Sequence, residues 1–308
     1  RPARGKRTFP GGAGAGHLSL AIRRLAVIGV GLIGGSLARA LRSAGLVDEI
    51  VGCGRGRANL EEAVALGVID RYTHDIGDAV RGADMVFLAV PLGAMREAFG
   101  AMRATLPPDA LITDGGSAKG SVVADCRSAA PELLARFVPG HPIAGNERNG
   151  VAASLAGLYR DRRVILTPLS ENAAAAVARV SAMWQACGAQ VMEMSVQHHD
   201  EVLAATSHLP HMLAFGLVDM LARMKENDEI FLYAAGGFRD FTRIASSNPV
   251  MWRDICIANR EALSPMLAAF AEEMGELARS IGEADADHLL AIFERAKAAR
   301  DRYVDGLK

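Results

Sequence analysis

Residue types able to move a proton come together in Pro139-Gly140-His141-Pro142-Ile143-Ala144-Gly145-Asn146-Glu147-Arg148-Asn149-Gly150. This stretch is dense in Pro and Gly and follows a short apolar run, Arg136-Phe137-Val138, so the pattern predicts a strand delivering a rigid loop. His141 is clamped between Gly140 and Pro142, with the carboxylate of Glu147 six residues on. An imidazole held still at a strand end suits general-base work, because its ordinary pKa lies close to working pH. The same residues also fit a solvated turn in which neither His141 nor Glu147 does chemistry. What decides between the two is what the surrounding elements bring near.

The first such element is a cofactor-type turn. Arg24-Leu25-Ala26-Val27-Ile28 reads as a buried strand and feeds Gly29-Val30-Gly31-Leu32-Ile33-Gly34-Gly35-Ser36, then an Ala/Leu/Arg helix to about Ser43. This is GxGxxG with a strand before it and a helix after it, the context that gives the motif meaning. Gly29 permits the tight turn, Gly31 lets the backbone approach a pyrophosphate, and Gly34 lets helix and strand pack closely. Leu32 and Ile33 complete the turn. A second strand, Glu49 to Cys53, ends in Gly54-Arg55-Gly56-Arg57. An NAD site usually places Asp or Glu about twenty residues past the glycines, to bind the ribose 2′-hydroxyl. Here Gly54 stands in that place and Arg55 follows, which favours the 2′-phosphate of NADP. The other reading is that Arg55 stacks on adenine and NAD is used.

The α/β alternation continues through a helix at 58–66, a strand at 85–91, a helix at 92–104, a strand at 110–113, a strand at 164–168, a helix at 172–187 and a strand at 190–194. Strands separated by helices of this length predict a parallel sheet with crossovers, and ligands at the carboxyl ends of its strands. Val90-Pro91, Asp114 to Lys119, and His141 to Gly150 all leave such ends, so Val90, Pro91 and Asp114 are candidate cofactor contacts. The same topology predicts that Ser117 and His141 reach the rim together, although Ser117 could equally cap the helix from Lys119.

After Ser195 the apolar spacing becomes helical, over 198–206, 212–225, 255–281 and 285–304. Pro265 is expected to kink or divide the third of these. Helices this apolar need a partner surface, and a homodimer through them is expected; the alternative is a monomer in which they pack on each other. Two polar constellations interrupt the run. Ser207-His208-Leu209-Pro210-His211 suggests zinc, but no third ligand follows at metal spacing, so no metal is assigned. In Gly236-Gly237-Phe238-Arg239-Asp240-Phe241-Thr242-Arg243-Ile244-Ala245, Asp240 and Arg243 could simply pair on one helical face. A guanidinium there could instead bind a substrate carboxylate at the domain interface.

Bulk properties set the frame. The chain has 308 residues, half of them apolar, and a net charge of −1, so it can bury a large core and offers no basic surface for nucleic acid or anionic membrane. Cys53, Cys126, Cys187 and Cys256 show no CxxC or Cys/His ligand spacing and read as reduced residues of a cytoplasmic protein. No apolar run reaches membrane-spanning length. Residues 1–20 lack a signal-peptide core and read as a flexible tail. The expected organisation is thus a tail at 1–20, an α/β Rossmann-like parallel-sheet domain at 21–195, and an all-α dimerisation domain at 196–308 that also binds substrate.

Taken together, the glycine turn, Asp114-Gly115-Gly116-Ser117-Ala118-Lys119, His141-Pro142-Ile143-Ala144-Gly145-Asn146-Glu147, Ser207 to His211 and Gly237 to Ala245 resemble the prephenate/arogenate dehydrogenases of tyrosine biosynthesis. The resemblance covers nearly the whole chain after Ala21. It implies a Rossmann-like domain, a helical dimerisation domain and an NAD(P)-dependent oxidative decarboxylation. It implies His141 as the catalytic histidine and Ser117 as its partner at the substrate hydroxyl. Arg243 would bind a substrate carboxylate, and Ser207, His208, His211, Glu147 and Asp240 would line or gate the pocket. Asn146 departs from the more usual Thr, Ser or Pro, and Gly54 from the acid of NAD-using members. Two rivals are weighed beside it. A β-hydroxyacid-type dehydrogenase would rely on a lysine in the helical domain, yet between Lys119 and Lys297 only Lys225 occurs, in a polar turn. A non-catalytic NAD(P)-binding regulator would leave the convergence of His141, Ser117, His211 and Arg243 unexplained.

Overall fold

A computed structural model describes residues 21–145, 148–225 and 227–303. The expected tail at 1–20 and the candidate Glu147 lie outside the described residues. The chain divides into two compact units: Arg1–Val90, Met95–Gly115 and Cys126–Glu193 form the first, and Pro91–Ala94, Gly116–Asp125 and Met194–Lys308 the second.

The first unit is built on five parallel strands, β1 (Ile22–Ile28), β2 (Val47–Cys53), β3 (Arg71–Thr73), β4 (Met85–Leu88) and β5 (Leu111–Asp114), in the order β3-β2-β1-β4-β5. The crossover helices are α1 (Leu32–Ser43), α2 (Arg57–Ala65), α3 (Ile76–Val80) and α4 (Met95–Met102). β4 and β5 are buried along their whole length, as is the second half of β1. Burial on both faces is why they read as continuous apolar runs rather than alternating ones. β3 and α3 escape sequence patterning: three residues are too few to show a period, and α3 is a five-residue turn held by Asp75, which accepts from the Asp78 N–H at 2.7 Å.

A second sheet departs from the all-parallel expectation. β6 (Gly140–Pro142) runs antiparallel to β7 (Arg163–Leu166), which pairs in parallel with β8 (Gln190–Glu193). The predicted strand at Arg136-Phe137-Val138 is displaced. Pro131–Arg136 forms a 3₁₀ turn, Phe137 makes a lone bridge to Ile112, and His141 itself lies in the strand, opposite Ile165. Pro142 is tolerated because β6 is an edge strand, where a missing N–H costs no ladder bond. α6 (Ala174–Ala186) delivers Trp184 into the core edge-on to Phe87 and Tyr159.

The second unit contains the amino-terminal part of α5 (Lys119–Ala129), then α7 (Val196–Leu203), α8 (Leu209–Ala222), α9 (Asn227–Leu232), α10 (Gly236–Thr242), α11 (Pro249–Ala258), α12 (Arg260–Gly282) and α13 (Ala286–Tyr303). Ser195 caps α7 by accepting from the His198 N–H. A π-turn at Ala204–His208 joins α7 to α8. Pro210 is the second residue of α8; its ring crowds the carbonyl four residues back, inside the π-turn, and offers it no N–H, so the wider turn accommodates the proline. The long helical segment divides at Asn259 (φ −108°, ψ 26°), not at Pro265, which sits inside α12. Pro265 and Glu261, whose carbonyl loses its donor, are both exposed, so water can satisfy that carbonyl and the helix continues.

One packing constraint is testable. A Cβ on Gly34 would stand 2.1 Å from the Gly29 carbonyl oxygen and 2.8 Å from Val27 Cγ1, backbone and strand atoms that cannot swing away. Gly34→Ala is expected to destabilise the chain by on the order of 1–3 kcal/mol, read as a fall in the urea unfolding midpoint. An unchanged midpoint would show that the α1–β1 packing gives way freely.

Candidate functional site

In the first unit the chemistry gathers at the carboxyl ends of the parallel strands. Gly29 adopts φ +99°, and a Cβ there would lie 2.3 Å from the Ala89 carbonyl oxygen and 3.1 Å from the Val90 nitrogen, so the turn passes directly over the end of β4. A Cβ on Gly31 would meet nothing within 4 Å. The amino end of α1 has neither a capping side chain nor an acid in its first turn. Open space above uncapped helix N–H groups fits a dinucleotide pyrophosphate, which the helix dipole also favours. Leu32 and Ile33, at the start of α1, are half-buried.

Two residues that sequence reasoning missed hold this turn. Asn59 donates to the Val30 carbonyl at 2.7 Å and accepts from the Val151 N–H at 3.0 Å; the Tyr159 hydroxyl donates to the Ile33 carbonyl at 2.6 Å. None of the three contacts has a local signal, since the partners are separated by 29 to 126 residues. After β2, Arg55 is exposed, and the Gly54 carbonyl is held by the His74 Nδ1–H at 2.7 Å. A side chain at Gly54 would make ordinary contact with Leu60 at 3.7 Å, so packing does not forbid an acid there.

Asp114 ends β5, fully buried, and its Oδ1 accepts from the Gly140 N–H at 3.0 Å. That bond anchors β6 and so the residue after Gly140, His141, which is only 8% exposed. Gly140 sits close enough to β5 that a Cβ would lie 3.1 Å from both the Asp114 carbonyl oxygen and Thr113 Oγ1. The depression lined by Arg23, Arg24, Asp48, Glu49 and Gly82 lies at the amino ends of β1 and β2, the edge a ligand of this fold does not use.

The second unit gathers Ser117, His208, His211 and Arg243 around different anchors. Asp200 accepts from the Lys119 and Gly120 N–H groups, both at 2.8 Å, so the amino end of α5 is seated on Asp200 rather than capped by Ser117. Burial pushes the Asp200 carboxyl up, but hydrogen bonds from His199 and from those two N–H groups outweigh it and leave the pKa below the usual range. Ser117, half-buried, lies just ahead of this seat. Asn259 donates to the Asp200 carbonyl at 2.9 Å and contacts His208 Nδ1 at 3.0 Å. His208 is 1% exposed, and burial drives its pKa down to about 4. His211 stacks on Trp252 with ring centroids 3.6 Å apart. Its Nδ1 donates to the Ser207 carbonyl at 2.8 Å, which leaves the Nε2 lone pair as an acceptor. Burial lowers its pKa, and the charge of Arg243 lowers it further. Arg243 and Asp240 are exposed, and Ser207 is half-buried in the π-turn. Pro91, exposed, falls in the second unit while Val90 falls in the first. Trp252, Asn259 and Asp200 were not singled out from sequence.

A glycine-turn nucleotide-binding unit, followed along the chain by an all-helical unit that holds the buried His208 and the half-buried His211, defines a two-part NAD(P)-dependent dehydrogenase. Residues 37–193 match the family model for the prephenate dehydrogenase nucleotide-binding domain, and 195–295 match that for its dimerization domain. The chain is 40% identical over 280 residues to a cyclohexadienyl dehydrogenase from Zymomonas mobilis, covering 90% of this chain and 95% of that protein. The structure of prephenate dehydrogenase from Aquifex aeolicus with hydroxyphenyl propionate and NAD+ superposes with a TM-score of 0.84 at 38% identity, over 91% of this chain and 98% of that one. Synechocystis arogenate dehydrogenase gives a TM-score of 0.76 at 26% identity, over 91% and 99%. The chain belongs to the prephenate dehydrogenase family and is an oxidoreductase.

The buried imidazole carries a pH signature. His208 has a folded pKa of about 4 against 6.5 for an ordinary histidine. Between those values the unfolded chain binds more protons than the folded one. Stability therefore rises with pH across this window, and the contribution is complete above 6.5. His208→Gln is expected to flatten the dependence of unfolding free energy on pH between 4 and 6.5, by up to about 1.4 kcal/mol per pH unit. Urea titrations at stepped pH measure it; an unaltered slope would exclude a buried neutral His208.

Proposed function

We propose that this chain catalyses NAD(P)-dependent oxidative decarboxylation of prephenate, arogenate or both, in tyrosine biosynthesis, with His141 as the general base. The observation that carries the assignment is the Asp114–Gly140 bond, which holds His141 on a short buried strand in the same unit as the glycine turn. The bound cofactor supplies the hydride acceptor for the carbinol hydrogen. Gly29, Gly31, Leu32, Ile33 and Gly34 would hold its pyrophosphate, with Val90, Pro91 and Asp114 bordering the nicotinamide side. His141, as a neutral imidazole, takes the proton of the ring hydroxyl as hydride departs. Ser117 orients that hydroxyl. Loss of the ring carboxylate as CO₂ makes the ring aromatic, so the chain needs no separate acid for that step. Arg243 holds the side-chain carboxylate, and His208, His211, Ser207, Asp240 and Glu147 line or gate the pocket.

NADP is the preferred cofactor on this reading. No carboxylate stands at Gly54 to repel a 2′-phosphate, and Arg55 is exposed beside it. The helical unit is the dimer surface. Leu232, Ile257, Ile281, Leu290, Phe293 and Tyr303 are each more than half exposed in the single chain, apolar surface that a second copy would cover.

Four assays, prephenate and arogenate each with NAD and NADP, test the function through absorbance of the reduced nicotinamide. Turnover of at least one cyclohexadienol is expected, and none with either would overturn the reading. His141→Asn should cut kcat by about 10²–10⁴-fold with little change in substrate binding, the size of a lost general base; near-normal turnover would reassign the base. Arg243→Ala should chiefly raise KM. Arg55→Ala should lower kcat/KM with NADP and leave NAD little affected; equal losses would remove the 2′-phosphate assignment.

A further inference from the structure

Asn259 stands at the break between α11 and α12, 3% exposed, and its side-chain nitrogen makes two contacts. One is to the Asp200 backbone carbonyl at 2.9 Å, the other to His208 Nδ1 at 3.0 Å. The first contact fixes the amide. A carbonyl oxygen only accepts, so the group facing Asp200 must be the NH₂; the flipped amide would set two oxygens against each other. The NH₂ therefore also faces His208 Nδ1, which must accept. In a neutral imidazole the proton then resides on Nε2. That Nε2 is fully buried and has no hydrogen-bond partner among the described residues. The indole Nε1 of Trp252, whose ring lies edge-on 6.0 Å from His208, is likewise buried without one. A buried donor left unpaired costs on the order of 1–3 kcal/mol, so an unpaired N–H needs a reason.

We infer that Asn259 is a positioning residue that locks His208 as the Nε2–H tautomer, so that a neutral, buried N–H is presented to an oxygen of the cyclohexadienol. The substrate half of this inference rests on the function proposed above; the tautomer half does not. Asp200 is part of the device, because its backbone carbonyl orients the Asn259 amide while its carboxylate seats α5. His208 thereby donates without carrying charge. His211 complements it: its Nδ1 bond to Ser207 leaves an acceptor on its own Nε2.

The test uses the full chain, ¹⁵N-labelled on histidine. Long-range ¹H–¹⁵N correlation of the wild-type protein near pH 7 should show His208 protonated on Nε2 only. Protonation on Nδ1 would overturn the inference without any variant being made. Asn259→Asp keeps size and shape but offers only acceptors, so His208 should gain a proton on Nδ1. KM for the substrate should then rise about tenfold or more, with cofactor affinity unchanged. Asn259→Leu should relax the tautomer preference, and His208→Gln, which retains an N–H donor, should bind substrate better than His208→Leu. A switched tautomer with unaltered KM in Asn259→Asp would remove the substrate role. Wild-type protein that turns over no cyclohexadienol would bring down the functional reading, while the nitrogen spectrum would still decide the tautomer.

Discussion

The Asp114–Gly140 hydrogen bond is the interaction on which the first unit's chemistry depends. β6 is three residues long, lies at a sheet edge and is paired on one side only. Three residue pairs are a weak hold, and a slip of one residue would turn His141 to the opposite face. The carboxylate of Asp114 belongs to β5, which is buried along its whole length, so the bond ties the short strand to the five-stranded sheet. A charge-assisted bond of this kind is worth about 1.5–3 kcal/mol, a large share of the 5–15 kcal/mol by which a domain is stable. The close approach of Gly140 to Thr113 and Asp114 shows why that position carries no side chain.

The second unit solves the same problem in the same way. Asp200, on α7, accepts two backbone N–H groups at the amino end of α5, where the helix dipole already favours negative charge. A Cβ on Gly120 would come within 2.8 Å of the carboxylate, so the seat is fitted to glycine. His199, fully buried, bonds the same carboxylate through Oδ1, the oxygen that also accepts from the Lys119 N–H. Ser117 precedes this seat and inherits its position from it. In both units a carboxylate grips main chain one or a few residues from a candidate side chain, His141 in the first and Ser117 in the second.

This division explains what could be read in the sequence. The glycine turn is legible because its physics is local: a strand, a tight turn and a helix start within fifteen residues. His141 is legible as a residue type in a rigid setting, but its strand is not, because the partner β7 comes more than twenty residues later. Asn59, Tyr159, Asp200 and Asn259 leave no trace in a linear reading. Each is a polar residue whose role exists only through a distant backbone group. Pro265 misled for a related reason. The propensity of proline to break a helix is real, but the break occurs where buried hydrogen bonds hold it, at Asn259, while the exposed Pro265 is absorbed.

The charges in the second unit also bear on how the proposed reaction is driven. The substrate carries two carboxylates, and one must leave as neutral CO₂. A pocket crowded with cations would bind the departing carboxylate in the ground state and oppose its loss, since only contacts stronger in the transition state accelerate the step. Burial keeps His208 neutral with a pKa of about 4, and His211 is pushed the same way by burial and by Arg243. Hydrogen bonding is thus supplied by uncharged rings, with the Arg243 guanidinium as a separate source of positive charge. On the proposed reading Arg243 holds the carboxylate that stays, and neutral imidazoles beside it add no charge that would retain the one that leaves.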